Sequence, residues 1–120
     1  MKNEAFEMCM LFDFYGSILT ERQQEVFDLY YNEDLSLAEI SEHTDITRQG
    51  IRDSIVRSKN ILKNMENKLG LVARFKETSK AFTRISELSD DLAEINRKRY
   101  RSPEYEVMLF EITTLAKRFM

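Results

Sequence analysis

Apolar residues recur at helical intervals along nearly the whole chain, and short polar clusters cut the pattern into segments. In residues 3–18, Phe6, Met10, Phe14 and Ile18 fall every four positions, with Cys9 and Leu11 beside them. That spacing predicts a helix with a broad apolar arc that packs on more than one side. Thr20 with Gln23 three positions on has capping-box spacing and opens a second helix, which runs to about Tyr31. Val26, Phe27 and Tyr30 are its expected buried face, and Asn32-Glu33-Asp34 ends it with turn chemistry. Ser36-x-x-Glu39 is another capping box, and Leu35 with Ile40 is spaced for a hydrophobic staple. The helix it starts is short and ends near His43, in the turn His43-Thr44-Asp45. Thr47 then caps a long helix to about Leu69, with Ile46 and Ile51 as a second staple. Ile51, Ile55, Ser58, Leu62 and Leu69 share one stripe of that helix, which is expected to be buried.

Gly70 occupies a helix C-terminal position, and a new apolar stripe follows: Val72, Phe75, Phe82, Ile85, Leu88, Leu92 and Ile95. Its spacing is heptad-like, with Thr78, Ser79, Ser86 and Ser89 interrupting it. Ser102-Pro103-Glu104 supplies a cap, a first-position proline and a first-turn carboxylate for a last helix. That helix carries Val107, Met108, Phe110, Ile112, Leu115, Ala116 and Phe119. The predicted fold is all-α: residues 1–70 form an N-terminal unit of four helices with a wingless helix-turn-helix over 36–69. Residues 71–120 form a C-terminal helical hairpin for dimerisation or docking. The hairpin offers more apolar surface than it can hide by closing on itself, so a homodimer built by this half is expected.

Composition narrows the function classes. Three glycines and one proline in 120 residues argue against a loop-rich or all-β fold. Cys9 is the sole cysteine, which forbids an internal disulfide and fits a reducing compartment. An acidic start with no basic flank, and no membrane-length apolar run, predict neither a signal peptide nor membrane insertion, so a cytoplasmic location is expected. No nucleophile–base pair, phosphate loop or metal-ligand spacing is present; His43 stands alone. The expectation is a protein without enzyme activity, cofactor or metal.

The net charge of −3 conceals an asymmetry. Residues 1–43 set two basic side chains against ten carboxylates, whereas residues 44–80 set nine against four. The basic excess begins with the long helix. Arg48, Arg52, Lys59 and Lys63 lie on one ribbon beside the buried stripe, suited to a phosphate backbone or an RNA groove. Thr47, Arg48, Gln49 and Arg52 occupy the first turns, the part of such a helix that reaches base edges. Arg and Gln suit bidentate contacts to guanine and adenine. Gly50 and Asp53 count against this, the one by weakening the helix and the other by its sign. The run Arg97-Lys98-Arg99-Tyr100-Arg101 is either a second phosphate contact or the cationic end of a helix.

Leu19 to Phe27 followed by Leu35 to Ser41 resembles the fourth region of bacterial sigma factors, which contacts promoter DNA. A fuller resemblance is to the YlxM family of small bacterial helix-turn-helix proteins. It is carried by Phe12-Asp13-Phe14-Tyr15, Leu29-Tyr30-Tyr31, Ser36-Leu37-Ala38-Glu39-Ile40, Thr47-Arg48-Gln49-Gly50-Ile51 and the tail beyond. Helix-turn-helix families commonly place glycine in a left-handed conformation in the turn, and Asp45 is expected to take that role here. The resemblance implies a link to the signal recognition particle pathway, because the family's genes neighbour that of the particle's GTPase. Two functions remain open. The first is a regulatory or accessory protein that binds DNA or RNA through Thr47, Arg48, Gln49, Arg52, Lys59 and Lys63. The second is a protein-interaction adaptor in which the helix-turn-helix is only a packing unit.

Overall fold

The computed structural model describes residues 4–120, and every regular element among them is helical. In order these are α1 (Ala5–Tyr15), α2 (Glu21–Phe27), α3 (Leu37–His43), α4 (Arg48–Leu69), α5 (Leu71–Ile95) and α6 (Pro103–Lys117). A 3-10 turn at Gly16–Ile18 follows α1, and π turns at Asp28–Asn32 and Asn96–Tyr100 extend α2 and α5. The chain divides after Val72 into two compact units.

In the first unit, α4 packs against α1, α2 and α3. Its buried residues are Ile51, Ile55, Ser58 and Leu62, four of the five positions in the expected stripe. Leu69 is instead half exposed. Met8, Val26, Phe27, Ile40, Ile51 and Leu62 are fully enclosed. An aromatic layer joins α1 to α2: Phe12 stacks on Phe27 at 5.0 Å, and Phe27 meets Tyr31 at 4.7 Å.

Two details of the N-terminal reading need correction. The fully buried face of α1 is Ala5, Met8, Leu11 and Tyr15; of the four-spaced set, Met10 and Phe14 pack partly buried against the core, whereas Phe6 is 75% exposed and Ile18 about half exposed. The helix is apolar on nearly all sides, so spacing alone left its phase open; Glu7 and Asp13 flank Phe6 and hold that side toward water. After α2, the π turn inserts one residue into the helical count. It rotates Tyr31 into the core and leaves Tyr30 only partly covered.

In the second unit, α5 and α6 form a hairpin. Asn96 is buried and closes the corner: its Nδ2 donates to the Ser102 carbonyl at 2.9 Å, and its Oδ1 accepts from the Ser102 N–H at 3.0 Å. Arg101 takes the left-handed conformation that reverses the chain, and the Ser102 hydroxyl caps α6. Within the basic run, Arg97 pairs with Glu106 across the corner at 3.7 Å, and Lys98 pairs with Glu94 one turn earlier.

Candidate nucleic-acid interface

The turn between α3 and α4 is built from short polar side chains. Ser36 and Glu39 form both bonds of their capping box at 3.1 Å, fixing the start of α3. Beyond α3, the Thr44 hydroxyl donates to the Ile40 carbonyl at 2.9 Å and the Ser41 hydroxyl to the Ile46 carbonyl at 2.8 Å. The Thr47 hydroxyl accepts the Gly50 N–H at 3.1 Å and starts α4. Asp45 does not take a positive φ; the left-handed residues among those described are Asp34, Gly70 and Arg101. Extended backbone at Thr44 turns the chain instead. Gly50 also has a steric purpose. A Cβ there would lie 2.8 Å from Ile46 Cγ2, so the bare backbone lets the staple residue close over the helix start.

At about 100° per residue, the outward surface of α4 has a centre and two flanks. Along the centre run Gln49, Asp53, Val56, Asn60, Asn64 and Asn67, all exposed. One flank carries Arg48, Arg52, Lys59 and Lys63, and the other carries Arg57 and Lys68. The helix has 22 residues, so this surface is about 33 Å long at 1.5 Å per residue.

The expected site residues therefore divide. Arg48, Arg52 and Lys63 are exposed on one side of the helix and make no ion pair among the described residues. Lys59 shares that side but is partly buried, and its ammonium is bound to the Glu4 carboxylate. Thr47 is occupied as the helix cap. Gln49 donates from Nε2 to Asp53 Oδ1 at 2.9 Å, so the amide is held by the carboxylate whose sign opposes phosphate. The ribbon described from sequence missed Arg57, Lys68 and the asparagines. The same helical phase contained them, but attention to charge alone passes over neutral amides.

Glu4 ties this surface to the π turn that follows α2. It accepts from the Tyr31 hydroxyl at 2.7 Å as well as from Lys59. Those bonds, the Lys59 one foremost, hold its carboxyl below the usual range, and the nearby charge of Lys63 adds to the effect. Burial, then the bond to Glu4, pushes the Tyr31 phenol far upward.

A capped short helix, a tight polar turn and a long basic helix on a shared core define a helix-turn-helix protein. Residues 2–101 match the family UPF0122, whose description is "Putative helix-turn-helix protein, YlxM / p13 like", and the chain belongs to that family. It is 42% identical over 112 residues to UPF0122 protein Teth514_1714 of Thermoanaerobacter sp. (strain X514), covering 93% of this chain and 92% of that one. It is 47% identical over 87 residues to a UPF0122 protein of Desulforamulus reducens, covering 72% and 74%. It is 37% identical over 115 residues to UPF0122 protein BH2485 of Halalkalibacterium halodurans, covering 96% and 99%. No helix among the described residues is long and apolar enough to cross a membrane.

Proposed function

We propose that the protein is a non-enzymatic, cytoplasmic accessory or regulatory factor that binds a nucleic-acid duplex, DNA or RNA, along α4. The observation that carries this reading is the outward surface of α4, with Gln49, Asn60, Asn64 and Asn67 beside Asp53 and Val56 along its centre and cations on both flanks. Flanking cations meet the two phosphate backbones of a groove, while a central row of Asn and Gln offers donors and acceptors to base edges or ribose hydroxyls. Arg48, Arg52, Lys63, Arg57 and Lys68 are the phosphate contacts, and Gln49, Asn60 and Asn64 the groove contacts. Lys59 acts from within, fastening α4 to Glu4. The family resemblance supports a role beside components of the signal recognition particle.

Binding to duplex DNA and to folded RNA, each measured across a salt series, tests the reading. Wild-type affinity is expected to fall steeply with salt for one of the two. Arg52→Ala and Lys63→Ala are each expected to lower the log–log slope by about one unit without loss of helicity. Asn60→Ala is expected to weaken binding at unchanged slope. One specific feature favours the adaptor reading: Glu39, Glu42, Asp45 and Asp53 are exposed around the same turn. Salt-independent or absent binding to both ligands would replace the present reading with that one.

A further inference from the structure

The C-terminal hairpin closes on its small and polar residues and leaves its large apolar ones outside. Ser86 and Ser89 of α5, Asn96 at the start of the π turn and Ala116 of α6 are the described residues it buries. The Ser89 hydroxyl donates to the Leu109 carbonyl at 3.0 Å and accepts from the Thr113 hydroxyl at 2.9 Å, so the seam is a hydrogen-bonded one. About a quarter-turn from that seam, α5 presents Ile85, Leu88, Leu92 and Ile95, each 41–53% exposed. On α6, Tyr105, Met108, Ile112 and Leu115 are 43–59% exposed. The two sets lie on the same side of the hairpin: Leu92 and Ile95 line one open groove together with Tyr105, Met108 and Ile112.

We propose that this face is the interface with a second copy of the chain, which completes a four-helix bundle about a two-fold axis. Three features select that occupant. Both helices repeat their outward residues at intervals of three, four and three, the spacing that packs helices of a bundle side by side. Each helix supplies four such layers, so a two-fold rotation sets four layers against four, and the same patch serves both partners. None of the eight residues is charged, so the face offers nothing by which an acidic or basic partner would be chosen. Eight large side chains at this exposure approach the roughly 800 Å² per partner of a stable interface. This inference does not depend on what α4 binds.

The test is the mass of the full-length protein in solution at about 10 μM, above the weak end expected for interfaces of this size. Twice the 14.3 kDa chain mass is expected. Leu92→Glu is expected to give a single-chain mass with unchanged helicity. Phe110→Lys, on the opposite side of α6 and 74% exposed, is expected to leave the dimer intact. Met108→Gln is the milder variant: its side chain is already 59% exposed in one copy, so the fold tolerates it. It is expected to raise the dissociation midpoint at least tenfold, which is about 1.4 kcal/mol of interface. A single-chain mass for the wild type, or a dimer unaltered by both Leu92→Glu and Met108→Gln, would overturn the proposal. So would a dimer lost in Phe110→Lys and kept in Leu92→Glu.

Discussion

The two units enclose their apolar side chains to different degrees. In the first, α4 is surrounded by three other helices, and Met8, Phe27, Ile40, Ile51 and Leu62 lose essentially all contact with water. In the second, two helices meet along serines, Asn96 and Ala116, while leucines and isoleucines of the same helices stay near half exposed. Two cylinders touch along one narrow seam, and close approach there favours small residues. A large side chain can be covered only by a further helix on the flank. The N-terminal unit contains that helix within one chain; the hairpin by itself leaves that flank open. The same apolar content thus yields an enclosed core in one half and an open apolar face in the other.

Truncation of large side chains should divide along that line. Leu62→Ala and Ile51→Ala remove fully buried groups from a core with no freedom to collapse, and each is expected to cost about 2–5 kcal/mol. Leu92→Ala, already half solvated in one copy, is expected to cost a single chain well under half of that while weakening self-association. Denaturant titration at concentrations below and above the association midpoint checks both. A loss in Leu92→Ala that equals Leu62→Ala at every concentration would erase the contrast between the units.

The next effect concerns what holds the hairpin in place of a core. Asn96 satisfies both backbone groups of Ser102 with one side chain, in a buried corner. Asn96→Ala leaves that N–H without a partner, while the carbonyl keeps the Glu106 N–H at 3.1 Å, and is expected to cost about 1–3 kcal/mol. Faster amide exchange in α6, with α1 to α4 unchanged, is the accompanying signature. Equal acceleration in both halves would mean that they do not open separately.

Where local chemistry decided a feature, the sequence disclosed it. The capping boxes at Thr20 and Ser36, the Thr47 cap, the Gly70 terminus and the Ser102-Pro103 start form as their side chains predict. The four caps depend on atoms three residues apart, and the Gly70 terminus on a left-handed backbone that glycine adopts without strain. Features set by tertiary context were harder to see. On α5 one stripe was expected, yet its members have different roles. Val72 joins the first core, Phe82 meets the Phe119 ring at 5.3 Å, and Ile85 to Ile95 face outward. Ser86 and Ser89 looked like interruptions of a seam and prove to be the seam. The basic ribbon was legible as charge, but the removal of Lys59 by Glu4 spans 55 positions, and no local pattern announces it.

That long-range pair supplies the smallest and most specific contrast. Glu4 is the acceptor for Lys59 and Tyr31 in the first unit, and its carboxyl is held below its ordinary value of 4.5. A depressed carboxyl contributes stability that is present above the ordinary value and is lost as pH falls through the folded one. The first unit should therefore lose stability as pH drops from about 5 toward 3, as Glu4 takes up a proton and releases the ammonium. Glu4 is more than a third exposed, so solvent screens the pair and the amplitude is modest. Glu4→Gln removes the titrating group while keeping an acceptor for the phenol. Its melting temperature is expected to lie slightly below wild type at pH 7 and to converge with it near pH 3. The hairpin provides the internal comparison. Glu94 is likewise held low, first by its bond to Lys98, but that pair is a surface contact within four residues. Glu94→Gln should leave the acid profile of the first unit where it was. If Glu4→Gln and wild type stay equally far apart from pH 7 to pH 3, the Lys59 pair does not set the acid response, and Lys59 returns to the set of cations free to meet phosphate.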